Sequence, residues 1–223
     1  MSARTIPAEV LHRVIAALFE AHGLERADAS RVAECLVEAD LRGVTSHGVG
    51  RVPIYTERLR RGLVTARPQL RWEALTPVAA RLDGDNALGF IVATHAMEGA
   101  ILRAKDYGIG LVLAYRSTHF GMAASYLRQA IEAGLAALIF TNASPAMPVW
   151  GGRVPFLGTS PFAFGAPGGE RALPFILDMA TSVVARGKIR RAAATGEPIP
   201  AGWALDADGR PTTDAQKAYE GLV

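Results

Sequence analysis

"LVLAYRSTHFGMAASYLRQAIEAGLAALIFTN", residues 111–142, decides the fold class. The runs "LVLAY" (111–115) and "AALIFTN" (136–142) are short, apolar and continuous, as expected of strands buried on both faces. Between them "HFGMAASYLRQAIEAG" spaces its apolar residues as a helix does and stops at Gly134. Strand, helix and strand in quick succession point to an α/β fold.

The same texture extends in both directions. Upstream, "LRWEAL" and "VAARLDGDN" read as two strands with turn chemistry in "DGDN", followed by a helix from Phe90 to Tyr107. Downstream, "PFAFGAP" and "PFILDM" read as strands, the first embedded in a Gly- and Pro-rich run over 142–174. "TSVVARGKIRRAA" reads as a helix and "DADGRP" as a surface loop. Before residue 70 the chain is helical. "PAEVLHRVIAALFEAHG" runs from Pro7 to Gly23, and its pairs Val10/Leu11, Val14/Ile15 and Leu18/Phe19 predict one buried stripe. "ADASRVAECLVEADLRG" and "PIYTERLRRG" supply two more helices. The division is therefore a helical part over 1–70 and a mixed α/β part over 71–223, with no internal repeat.

Half of the 223 residues are apolar and a fifth are charged, which places the chain among globular proteins rather than disordered ones. The net charge is only +3, and acidic residues interleave with the basic ones. The densest basic cluster, "ERLRRG" at 57–62, holds a glutamate and no aromatic residue, so it reads as a solvated helix face and not as a nucleic-acid arm. Cys35 is the sole cysteine, which excludes a disulfide framework and favours a cytoplasmic setting. "MSARTIPAEV" has no apolar core of a leader, and no apolar run reaches the length of a membrane span.

Several chemistries fail on spacing. No two of His12, His22, His47, His95 and His119 are spaced to bring two metal ligands onto one helix face. No GxSxG elbow exists, and Ser46 adjoins His47, an awkward arrangement for a nucleophile and its base. "GIGLVL" and "GVGRVP" each lack the third glycine of the dinucleotide fingerprint.

Three segments keep polar residues that need a reason. In "VTSHGVGR" (44–51) a helical turn would set His47 and Arg51 on one side. An imidazole can give or take a proton, and a guanidinium matches a carboxylate with a planar fork. The pair suits a 2-oxo acid; the plain alternative is a loop histidine and a surface charge. In "YRSTHFGMAASY", His119 stands where a strand gives way to a helix whose first amides can bind an anion. The alternative is an N-cap at Ser117 or Thr118 beside an incidental histidine. In "FILDMATSVVARGKI", Asp178 ends an apolar run, so partial burial beside an imidazole is one reading. An N-cap for a helix starting near Thr181 is the other.

Together with "LGTSPFAFGAP" and "GWALDADGRPTTD", the strings "GVTSHGVGRVPIY", "STHFGMAASY" and "LDMATSVVARGKI" resemble, in order, the malate/L-lactate dehydrogenase family of NAD(P)-dependent oxidoreductases. This non-Rossmann family also holds ureidoglycolate and sulfolactate dehydrogenases, 2,3-diketogulonate reductase and piperideine-2-carboxylate reductases. The resemblance implies a mixed-sheet cofactor domain packed on a helical domain, in a cytoplasmic homodimer without nucleic-acid or membrane partners. It implies dehydrogenase chemistry on a CH–OH group: hydride exchange between NAD or NADP and a small 2-hydroxy or 2-oxo acid. A cyclic-imine 2-carboxylate is the variant substrate. Ser46, His47 and Asp178 match the proton-relay group, Arg51 the substrate arginine, and His119 a histidine at the cofactor and substrate. His119, Phe120, Gly121, Met122, Ala123, Ser144, Thr159, Ser160, Pro161, Asp178, Met179 and Ala180 match cofactor contacts. Thr118 and Ser160 stand where the family usually has asparagine. Family members also run further, into a glycine-rich segment and closing helices. The resemblance therefore implies C-terminal truncation, with a non-catalytic dimerising or ligand-binding fragment as the alternative.

Overall fold

Pro7, with φ −57°, leads into α1 (Ala8–Ala21), where its fixed torsion suits the approach to a first turn. The computed structural model describes residues 5–169 and 172–222. The first four residues, Glu170 and Arg171 of the Gly- and Pro-rich run, and Val223 lie outside the described residues.

The chain divides into two compact units: Met1–Ala137 with Gly165–Phe175, and Leu138–Phe164 with Ile176–Val223. In the first unit α1 packs against α2 (Arg26–Leu41). The predicted stripe of α1 is only half buried. Ile15 and Phe19 are covered, whereas Val10, Val14 and Leu18 are exposed. α1 packs on α2, and one neighbouring helix covers a narrower strip than the paired apolar positions offer. α2 itself buries Val32, Cys35, Leu36 and four further small or branched residues. It ends at Gly43, whose φ of +76° is left-handed. Two 3-10 turns, Thr45–His47 and Val49–Arg51, then lead into α3 (Val52–Arg60), which has Pro53 in its first turn.

The composition change near residue 70 falls in the connection between α3 and β1 (Arg71–Thr76). β1 pairs antiparallel with β2 (Ala79–Ala87), and β2 pairs parallel with β3 (Leu111–Ser117). Parallel neighbours need a crossover, and α4 (Gly89–Tyr107) supplies it while packing on both β2 and β3. This is the mixed sheet that the family resemblance implies. The "DGDN" segment lies inside β2, where Asp85 and Asn86 adopt positive φ and the register to β3 slips. Leu82, Ala87 and Val92 form the buried contact of sheet and helix. β3 departs from expectation. Leu111, Leu113 and Tyr115 are about half exposed, and of the strand's residues Val112 alone is partly buried. A continuous apolar run does not distinguish one covered face from two. α5 (Ala124–Glu132) follows, beginning five residues later than the helical spacing around His119 implied.

In the second unit β5 (Pro145–Met147) pairs antiparallel with β6 (Leu157–Gly158). β7 (Phe162–Ala166) lies between β4 (Ala137–Phe140) and β8 (Phe175–Met179) in one sheet. α6 (Arg186–Thr195), the β9–β10 hairpin (Ala204–Leu205 and Pro211–Thr212) and α7 (Ala215–Glu220) close around Ile189, Ile199, Ala204, Ala215 and Ala218. Asp214 caps α7, accepting hydrogen bonds from the Gln216 and Lys217 amides. The "DADGRP" loop is a tight turn in which Asp206 Oδ1 accepts from the amides of Asp208 and Arg210.

Candidate active site

His119 is positioned by four neighbours. Gly89 opens α4 where a Cβ would run into the backbone of Thr118 and His119, so the lack of a side chain lets the 118–121 loop lie against the helix start. The Thr118 hydroxyl donates to the Ala87 carbonyl at 3.0 Å, tying the loop to β2. The Gly121 amide donates to His119 Nδ1 at 3.2 Å, and the Tyr55 hydroxyl lies 2.8 Å from the same nitrogen. An amide cannot accept, so Nδ1 is the acceptor and the neutral ring carries its proton on Nε2.

Tyr55 is buried, with its ring edge-on to Phe90 at a centroid distance of 5.3 Å. That packing fixes where its hydroxyl points. Sequence reasoning did not single out Tyr55. It lies one α-helical turn beyond Arg51, four residues on, and that spacing was the available signal.

The second imidazole stacks on the first: the rings of His47 and His119 lie 5.5 Å apart with 16° between their planes. His47 Nδ1 and the Ser46 hydroxyl are 2.9 Å apart, a hydrogen bond whose direction follows the tautomer. Ser46 thus sits as a proton partner of His47. The expected helical turn from His47 to Arg51 is absent, because the chain breaks at Gly48 between two 3-10 turns. Arg51 turns back instead, its Nε donating to the Ser46 carbonyl at 2.6 Å. Backbone and guanidinium together therefore fix Ser46, His47 and Arg51 as one piece.

Two alternatives for the 117–134 stretch fall. α5 has Ala123 before its first turn and no side-chain cap, so neither Ser117 nor Thr118 caps a helix. The helix start is also too far along the chain for its amides to follow directly on His119. Phe120, Gly121, Met122 and Ala123 form the connecting loop, with Met122 and Ala123 buried. Cys35 is no nucleophile: burial pushes its thiol up to about 12.

Asp178 corrects two expectations. It is exposed on β8 rather than partly buried, and it caps no helix, because α6 begins at Arg186. The intervening "TSVV" is rich in β-branched residues, and its hydroxyls bond backbone carbonyls. The Thr181 amide and hydroxyl both donate to the Thr159 carbonyl, and the Ser182 hydroxyl donates to the Val184 carbonyl. Such bonds compete with helix formation.

These bonds also gather most of the expected cofactor segments of the second unit. β5–β6 pairing sets Pro145, the residue after Ser144, opposite Gly158, the residue before Thr159. A Cβ on Gly158 would meet the Ala143 backbone. Thr159, Ser160 and Pro161 are partly buried, while Ser144, Asp178 and Met179 are exposed. Ser160 adopts φ +25°, a conformation that asparagine tolerates better than serine. Hydroxyls and turn amides of this kind are the donors that ribose and phosphate require. The chemistry of these residues fits a dinucleotide, and none of them belongs to a Rossmann glycine loop.

A family model described as malate/L-lactate dehydrogenase matches residues 6–223. L-sulfolactate dehydrogenase of Methanocaldococcus jannaschii is 40% identical over 95% of this chain and 61% of its own length. (2R)-3-sulfolactate dehydrogenase (NADP(+)) of Chromohalobacter salexigens is 41% identical over 93% and 62%. Ureidoglycolate dehydrogenase (NAD(+)) of Escherichia coli O157:H7 is 41% identical over 94% and 60%. The solved structure of delta1-piperideine-2-carboxylate reductase from Pseudomonas syringae superposes with a TM-score of 0.92 at 30% identity, covering 99% of this chain and 67% of that one. The chain thus spans about 60% of the length of the curated relatives it matches. With the mixed sheet, the paired histidines and a match that runs almost end to end, this chain belongs to the malate/L-lactate dehydrogenase family.

Proposed function

We propose that the protein is an NAD(P)-dependent oxidoreductase that interconverts a small 2-hydroxy acid and its 2-oxo acid. The observation that carries this reading is the stack of His47 on His119, with Ser46 and Arg51 tied to the same turn. A bound nicotinamide supplies or accepts the hydride. Arg51 binds the substrate carboxylate through its terminal nitrogens while its Nε anchors the loop. His47 gives the proton to the carbonyl oxygen, or removes it from the hydroxyl, with Ser46 as its hydrogen-bond partner. His119 presents its Nε2–H toward the reacting oxygen, held by Tyr55 and Gly121. Asp178 belongs to the proton relay in this reading, by its match to the family motif. The 119–123 loop, Ser144, Thr159–Pro161 and Asp178–Ala180 hold NAD or NADP.

The working form in this reading is a cytoplasmic homodimer, with residues 1–70 as a helical domain and 71–223 as a cofactor domain. NAD and NADP each have support in the names of relatives about 41% identical. A second substrate class, a cyclic imine bearing a 2-carboxylate, is favoured by the likeness to the piperideine-2-carboxylate reductase structure.

The test is a panel of 2-oxo acids and cyclic imines assayed with NADH and with NADPH. Oxidation of one reduced cofactor that depends on a 2-oxo acid is the expected result. Turnover with cyclic imines alone selects the second class. Binding of neither NADH nor NADPH, with no turnover on any substrate, contradicts the catalytic reading and selects the non-catalytic fragment.

A further inference from the structure

We propose that Asp40 is a positioning residue for the Ser46–His47–Arg51 turn, an inference that rests on the function proposed above. Asp40 stands in the last turn of α2, where a carboxylate faces the negative end of the helix dipole, and Arg42 at the C-cap pairs with Glu38. A residue that violates a local preference calls for a compensating contact. That contact is the Val49 amide, which donates to Asp40 Oδ2 at 2.9 Å across nine residues of chain. The same carboxylate lies over Gly48, where a Cβ would collide with all three of its outer atoms. Gly48 is the break between the two 3-10 turns, with His47 on one side and Arg51 on the other. Carboxylate and glycine therefore form a complementary pair. Asp40 clamps the joint, and Gly48 makes room for the clamp. Through these contacts the carboxylate sets the angle between the turns that carry His47 and Arg51.

The experiment combines kinetics with amide exchange on Asp40→Ala, Asp40→Asn, Gly48→Ala and the Asp40→Ala/Gly48→Ala double variant. Asp40→Ala lowers kcat and raises KM for the carboxylate substrate, for a combined loss of about tenfold to a hundredfold in kcat/KM. Kd for NADH or NADPH stays within about twofold, which general unfolding would not leave intact. Asp40→Asn keeps an acceptor oxygen and restores kcat/KM to within about threefold. Gly48→Ala alone is at least as damaging as Asp40→Ala, whereas the double variant is no worse than Asp40→Ala because the clash is gone.

The Val49 amide exchanges at least tenfold faster in Asp40→Ala than in the wild type or Asp40→Asn. That readout tests the clamp even if the wild type turns over no substrate, in which case only the catalytic reading fails. Unchanged Val49 exchange in Asp40→Ala overturns the proposal. So does wild-type kcat/KM in that variant, or equal damage by Gly48→Ala with and without Asp40.

Discussion

In the first unit the reactive side chains hold one another. Tyr55 lies against His119, His119 stacks on His47, Ser46 bonds His47, and Arg51 reaches back to Ser46. In the second unit the segments assigned to the cofactor are held mainly through backbone: β5–β6 pairing beside Ser144 and Thr159, and the Thr159 carbonyl that accepts both donors of Thr181. The difference follows from the chemistry each is proposed to perform. Proton transfer depends on rotamers fixed within fractions of an ångström, so side chains must be braced. A dinucleotide is held by many weak contacts to amides and hydroxyls, so the loop path matters more than any single rotamer. Side-chain changes should accordingly cost more in the first unit than in the second.

His47→Ala is the most severe way to break that contrast. It should lower kcat by about 10²–10⁴-fold, the span that a general acid–base residue contributes, while NADH or NADPH still binds. Wild-type turnover in this variant, measured by cofactor absorbance, would remove His47 from the mechanism. Tyr55→Phe is milder. The ring still packs on Phe90 and Gly121 still donates to His119, but one donor to Nδ1 is lost. A fall of roughly tenfold in kcat/KM is expected, with a stability loss of about 1 kcal/mol by denaturant titration. Unchanged kinetics would make Tyr55 a packing residue only.

Glu38 tests the first unit away from the site. Burial pushes its carboxyl up, but hydrogen bonds from Arg128, Ser125 and Arg42 outweigh that and hold it below the ordinary value of 4.5. The Arg128 contact is 2.5 Å, and the arginine side chain is 38% exposed, so solvent screens the pair. A carboxyl depressed in the folded state contributes stability above its unfolded value and loses it as the pH falls through the folded one. Glu38→Gln should therefore cost about 1 kcal/mol at pH 7. The gap to wild type should shrink below about pH 4.5, as followed by urea titration across pH. A gap constant down to pH 2 would mean that the carboxylate charge contributes nothing. Ser160→Asn, in the second unit, should have the smallest effect. Easing the φ of +25° should raise stability by a few tenths of a kcal/mol without changing kcat. A loss of stability would show that the Ser160 hydroxyl matters more than its backbone.

The sequence made His47, Arg51 and His119 legible because each is a polar residue without a ready structural excuse, in segments that relatives share. Tyr55 was hidden, since its hydroxyl meets a partner 64 residues away and its ring reads as core. Asp178 was misjudged because an apolar run before a carboxylate suggests burial, although β8 leaves that position exposed. β3 was misjudged for the converse reason. Leu111, Leu113 and Tyr115 look like interior residues, but neither α4 nor a neighbouring strand covers their face. Local periodicity locates elements; which faces become covered depends on partners that periodicity does not name.

The account's central claim is that the turn over 44–51 is a carboxylate site. The most direct measurement is calorimetric titration of oxamate, a non-reducible 2-oxo-acid mimic, into the protein saturated with NADH or NADPH. Wild type and Arg51→Ala are compared side by side. The account predicts binding to wild type and at least a tenfold weaker Kd for Arg51→Ala, with cofactor affinity unchanged. Equal oxamate binding to both proteins would contradict it.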